Sequence, residues 1–191
     1  MNGAVKTRMR PPIDLRLTLP VLAAIGMLQL RLRILQTPGA TRVALLVAVF
    51  AAILVTSLLV PVTRDVARLH PAIVAVIGVA GVGLAALAAG RPVPAPLGAS
   101  ALPLALFAAV AEEALFRRAA YGWLARSGAA VAVVGSAVLF AAIHVPLYGV
   151  AAFPVDLGAG LLLSWQRWAA GTWTVPAATH TAANVVAVVL R

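Results

Sequence analysis

The sequence predicts an all-α fold, a polytopic membrane helix bundle of about seven transmembrane helices. Two observations carry that expectation. Hydrophobic residues make up 63% of the 191 residues and charged ones only 10%, with a mean hydropathy of +1.03. Soluble domains are about 45–50% apolar and about 25% charged. The arginines also stand between long uncharged runs, where they act as topology signals, rather than on one soluble face. The net charge of +10 therefore does not point to nucleic acid. Cysteine is absent, which excludes disulfides, thiolate metal sites and a cysteine nucleophile.

Taken in order, the chain opens with Lys6, Arg8, Arg10 and Arg16 before the apolar stretch Leu17 to Leu30. No small-residue cleavage site follows, and Arg31 and Arg33 come instead, so this is a retained first helix or an interfacial segment. Its 14 residues are short against the roughly 20 a span needs. Val43 to Val62 and Ala72 to Gly90 read as spans, separated by Arg64, Asp65, Arg68 and His70. Arg91-Pro-Val-Pro-Ala-Pro is a stiff linker, because each proline removes a backbone donor. It divides residues 1–96, an N-terminal transmembrane portion, from residues 97–191, which carry most of the chemically loaded side chains. The later helices are expected near 98–125, 129–146, 150–166 and 173–190. With seven spans, ten of the fifteen Lys and Arg residues fall on the N-terminal side. A multi-pass protein of the cell membrane with a cytoplasmic N-terminus is expected.

The chemistry concentrates in the second portion. Leu97 to Ala111 carries no charge, and Glu112 and Glu113 close it side by side. His144 follows Ala-Ala-Ile and His180 precedes Thr-Ala-Ala, so four ionisable groups lie in apolar settings within 69 residues. Each such group costs at least roughly 2.5–3.5 kcal/mol to insert and usually marks a working site. Glu113 and Arg117 stand at i and i+4, acid first, and can pair along one helix face. Glu112 points about 100° away and is free for another task. Phe140 with His144, and His180 with Asn184, repeat the same spacing. If Arg126-Ser127-Gly128 turns an antiparallel hairpin, Glu112 and His144 lie at nearly equal depth on its two arms. A facing carboxylate and imidazole can deprotonate a water and then protonate a leaving group. A second histidine and an amide can donate to a developing oxyanion. Peptide-bond hydrolysis fits that set.

Glu112-Glu113-Ala-Leu-Phe-Arg117, Phe140-Ala-Ala-Ile-His144 and His180-Thr-Ala-Ala-Asn184 resemble the EExxxR, FxxxH and HxxxN motifs of the CPBP family. Its members include CAAX prenyl proteases of the Rce1 type and bacteriocin-processing (Abi) membrane proteins. The resemblance covers about residues 100–191. It implies an intramembrane endopeptidase in which Glu112 and His144 activate the water, His180 and Asn184 stabilise the oxyanion, and Glu113 and Arg117 support the site. Arg118 departs from the pattern, since many members carry glycine there. No cofactor is favoured. Zinc is the alternative, with Glu112, His144 and His180 as its ligands, although no HExxH pair is present. The expected partners are the lipid bilayer and a membrane-associated peptide or protein substrate, with no nucleic acid.

Plainer readings stand beside these. Glu112 to Arg118 can be an interfacial cluster at a helix end, and His180 with Asn184 can be polar glue between helices. His144, just before Val145-Pro146, can be an ordinary helix-end histidine. His70, beside Arg68 and Pro71, reads as interfacial, and Asp156 as a first-turn acid favoured by the helix dipole. Trp165, Trp168 and Trp173 around Arg167 read as an aromatic belt. A rhomboid-type serine is disfavoured because Gly98-Ala-Ser100-Ala lacks a following glycine, and Asp156 has no second intramembrane aspartate. A non-enzymatic immunity factor or scaffold of the same fold remains the alternative to the protease. High Ala, Val and Arg content suggests a bacterial, GC-rich coding source.

Overall fold

A computed structural model describes residues 14–61, 65–89 and 102–189, and among these the only regular structure is helical. The linker after Arg91, the basic residues Lys6, Arg8, Arg10, Arg64 and Arg191, and Ser100 lie outside the described residues.

Helix α1 (Leu15–Ile34) starts where the Asp14 side chain accepts from the Arg16 N–H, a standard N-cap. It runs 20 residues, so the apolar stretch does not end at Leu30. Arg31 continues the helix because its side chain is buried within the protein and does not mark a membrane boundary. Helix α2 (Gly39–Leu59) turns back after Pro38, with Gly39 at φ +64°. Helix α3 (Pro71–Ala89) follows, and the exposed His70 ring accepts from the Ala72 N–H at its start.

The expected 98–125 helix is described from residue 102 and has three parts: α4 (Leu102–Glu113), a π-helical segment (Ala114–Ala120) and short α5 (Tyr121–Leu124). After the turn at Ala125–Ser127, Gly128 at φ +116° opens α6 (Ala129–Tyr148), which passes through Pro146. Helix α7 (Phe153–Ala170) runs beyond the expected end at 166, since Arg167 is buried rather than interfacial, and Gly171 at φ +69° stops it in the left-handed conformation. Helix α8 (Thr174–Val189) closes the described chain.

Among the described residues three helices, α1, α2 and α6, are long and apolar enough to cross a membrane by length and composition. Their outward residues, such as Leu22, Leu30, Val47, Val55, Val134 and Val138, are exposed apolar side chains, which a lipid environment tolerates. One core joins α1, α2, α4, the π segment and α6 through Ala24, Leu28, Phe50, Ile53, Ala111, Leu115, Phe116 and Phe140. A second cluster ties α3 to α7 and the start of α8 through Val74, Ala169, Ala170 and Val175. Small residues bring α6 and α7 close. A Cβ at Gly160 would stand 3.0 Å from the Ala137 carbonyl oxygen, and Ser136 and Ser164 share a hydrogen bond of 2.9 Å between the same helices.

Candidate active site

The end of α4, the C-terminal half of α6 and α8 meet around the polar residues of the three motifs. Glu112 and Glu113 occupy the last two positions of α4 and are 5% and 0% exposed. The hairpin of α4 and α6 brings the Glu112 carboxylate to the His144 ring, with Oε2 3.8 Å from Nε2. That is beyond a direct hydrogen bond and within the reach of a bridging water. The His144 Nδ1 lies 2.7 Å from the Phe140 carbonyl oxygen, which can only accept. Nδ1 therefore carries a proton, and Nε2 is the atom turned to Glu112.

Glu112 is not free, in contrast to the sequence expectation. Arg31 of α1 reaches it, with Nη1 2.8 Å from Oε1, and the same guanidinium donates from Nη2 to the Ile143 carbonyl at 3.2 Å. Sequence reasoning took Arg31 for a flanking charge. The signal was nonetheless present: Val21, Ala24, Leu28 and Arg31 form one buried stripe at helical spacing, so Arg31 faces inward by the same periodicity as the apolar residues.

Glu113 serves two partners. Its Oε2 is 3.3 Å from the Arg117 Nε at i+4, both side chains being fully buried, and its Oε1 is 2.9 Å from the His180 Nδ1. The contact with Arg117 is an ion pair without an aligned hydrogen bond, and Arg117 donates from Nη2 to the Gly160 carbonyl at 3.3 Å. The expected pairing with Arg117 is present. The link to His180 was not foreseen. Asn184 donates its amide to the Ala105 carbonyl at 3.0 Å, so one of its two N–H bonds is engaged with α4.

Phe140 stands between these groups. Its ring centroid is 4.5 Å from that of His144, 5.9 Å from that of His180 and 4.5 Å from the guanidinium carbon of Arg117. Tyr148 lies parallel to His144 with centroids 5.8 Å apart, a neighbour the sequence did not flag. Asp156 sits in the first turn of α7, as expected, yet its Oδ2 is buried without a hydrogen-bond partner.

The Trp165 and Trp168 side chains are half-buried, and Arg167 between them is not a surface belt residue. It is 4% exposed, pairs with Asp65 at 2.9 Å and donates from Nε to the Arg117 carbonyl at 3.0 Å. Arg118 donates to the carbonyls of Ser57 and Val60 at the end of α2. Arg31, Arg117 and Arg167 are therefore internal partners, and their charges do not mark a membrane surface.

Among the described residues, no three His, Cys, Asp or Glu side chains are grouped as metal ligands. Glu112, His144 and His180, the ligands of the zinc alternative, have Arg31, the Phe140 carbonyl and Glu113 as their close partners.

These features define a helical membrane protein with a buried acid–histidine centre shared by several helices. Residues 94–186 match the family described as type II CAAX prenyl endopeptidase, Rce1-like. Neither the curated proteins nor the solved structures compared with it gave a match.

Proposed function

We propose that this chain is an intramembrane endopeptidase that hydrolyses a peptide bond of a membrane-associated peptide or protein with water activated by Glu112 and His144. The family match implies protease activity. The observation that carries the mechanism is the buried apposition of the Glu112 Oε2 and the His144 Nε2. A water held by both atoms loses its proton to Glu112 as its oxygen attacks the scissile carbonyl carbon. The proton is then delivered to the departing amine, with His144 assisting both transfers. The charge that develops on the carbonyl oxygen falls to His180 and Asn184. Glu113 fixes the His180 ring through Nδ1 and balances the imidazolium that donates from Nε2, while Arg117 holds Glu113 in place. Phe140 keeps both rings against an apolar wall and limits the entry of bulk water.

The reading is metal-free, because Glu113 is engaged by Arg117 and His180, and an Asn184 amide suits an oxyanion better than zinc. The seven helical segments are proposed to span the cell membrane with a cytoplasmic N-terminus. The division at residue 96 is proposed to separate an N-terminal portion from the catalytic one.

The test uses purified full-length protein in detergent and two internally quenched peptides. One ends in a prenylated cysteine followed by three residues, and the other has the same sequence without the prenyl group. Cleavage by the unaltered protein, lost about 10²–10⁴-fold in Glu112→Gln with folding intact, is the expected result. A folded Glu112→Gln variant that cleaves normally overturns the mechanism. Failure to cut either peptide favours a non-enzymatic scaffold or immunity role.

A further inference from the structure

Arg31 lies outside the segment that carries the family match, yet it touches Glu112 and the backbone next to His144, the two members of the proposed water-activating pair. It is 5% exposed and comes from α1, while Glu112 belongs to α4 and His144 to α6. One guanidinium face is used twice: Nη1 holds Glu112 Oε1 at 2.8 Å, and Nη2 holds the carbonyl of Ile143, the residue before His144, at 3.2 Å. A planar fork with fixed spacing between its donors sets the distance between its two acceptors, which a flexible ammonium does not. With Oε1 occupied, Oε2 is the carboxylate oxygen that faces the His144 Nε2. Simple charge compensation for a buried glutamate would need only the first contact. The second ties the same side chain to the backbone that carries the histidine.

We propose that Arg31 is a positioning residue for peptide-bond hydrolysis. It spans α4 and α6 so that Glu112 Oε2 and His144 Nε2 stay at the separation that one shared water fills. The inference rests on the proposed function, and it makes the N-terminal portion part of the working centre.

The experiment compares Arg31→Gln, Arg31→Lys and the control Arg33→Gln, an exposed neighbour on the same helix, with the unaltered full chain on the two probe peptides. Rates are expressed per folded molecule, with the folded fraction taken from thermal unfolding in detergent. In Arg31→Gln, kcat falls about 10²-fold, the scale of a misplacement near 1 Å, while KM stays within about twofold. Arg31→Lys recovers part of that kcat, because the charge returns without the fork, and Arg33→Gln matches the unaltered protein. If Arg31 only holds the bundle together, Arg31→Gln and Arg31→Lys lower the folded fraction and leave kcat per folded molecule unchanged, which overturns the inference. Unchanged kcat in Arg31→Gln beside an inactive Glu112→Gln overturns the inference alone. Activity retained in Glu112→Gln, or no cleavage of either probe by the unaltered protein, overturns the proposed function and the inference with it.

Discussion

The pair formed by Glu113 and Arg117 offers the sharpest energetic test, because both side chains are fully buried and each has other partners. Arg117→Met keeps most of the volume and removes the ion pair, the bond to the Gly160 carbonyl and the guanidinium over the Phe140 ring. Breaking one side of a buried pair destabilises by about 3–5 kcal/mol, because the other charge is left uncompensated. Here His180 remains as a second partner for Glu113, so the lower end of that range, about 3 kcal/mol, is expected. Glu113→Gln leaves Arg117 with only a carbonyl and aromatic faces, so its loss lies at the upper end, about 5 kcal/mol. The double variant removes both charges, and the two losses overlap. Its destabilisation should be about 0.5–3 kcal/mol smaller than the sum of the single ones. The assay is reversible unfolding in mixed micelles by added denaturing detergent, followed by tryptophan fluorescence. Single losses that add within about 0.5 kcal/mol would refute the claim that these side chains act as one unit.

Other expectations follow from the same geometry. Removing His180 or Asn184 by alanine substitution lowers kcat on a cleaved probe by about 10²–10³-fold each, measured in the same fluorescence assay. Prolonged chelator treatment leaves activity largely intact, and elemental analysis finds far less than one zinc per chain; chelator-sensitive activity restored by stoichiometric zinc would recast His144 and His180 as ligands. Gly160→Val destabilises by about 1–3 kcal/mol in the denaturing-detergent titration, since its Cβ alone would press on the Ala137 backbone. In Gly158→Ala, by contrast, the added Cβ meets nothing within 4 Å, and stability rises by about 0.4–1 kcal/mol because alanine favours the helix interior.

Much of the helix order was readable because apolar runs and arginine clusters alternate so regularly. The errors share one cause. Arg31 and Arg167 were treated as solvent-facing charges that end a helix, and in both places the helix continues because a carboxylate and backbone carbonyls inside the protein receive the guanidinium. A hydropathy pattern records that a residue is charged and says nothing about whether its partner lies in water or 81 positions along the chain. The apposition of Glu112 and His144 was legible from turn position and rise per residue, since both lie on one hairpin. The contact between Glu113 and His180 was not, because it depends on how α8 docks against α4, and no local spacing encodes that.

The π-helical segment after Glu113 sets a length rule for the chain. Each bond of the i→i+5 kind accommodates one residue more than an α-turn, so Ala114–Ala120 works as a phase adjuster between two stretches facing different neighbours. Ala111, Leu115 and Phe116 face the cluster shared with Leu28 and Phe50, while Ala119 and Ala120 face Val21 and Val60. Deleting one residue here would let the segment relax to ordinary α geometry with both glutamates still in phase with Tyr121, whereas deleting a second would rotate them by about 100°. The carboxylates would then leave their partners while the helix itself remained intact. Any change in chain length beyond that one residue must therefore fall in the turn at Ala125–Ser127 or beyond, where the count of residues no longer fixes the direction in which the acids point.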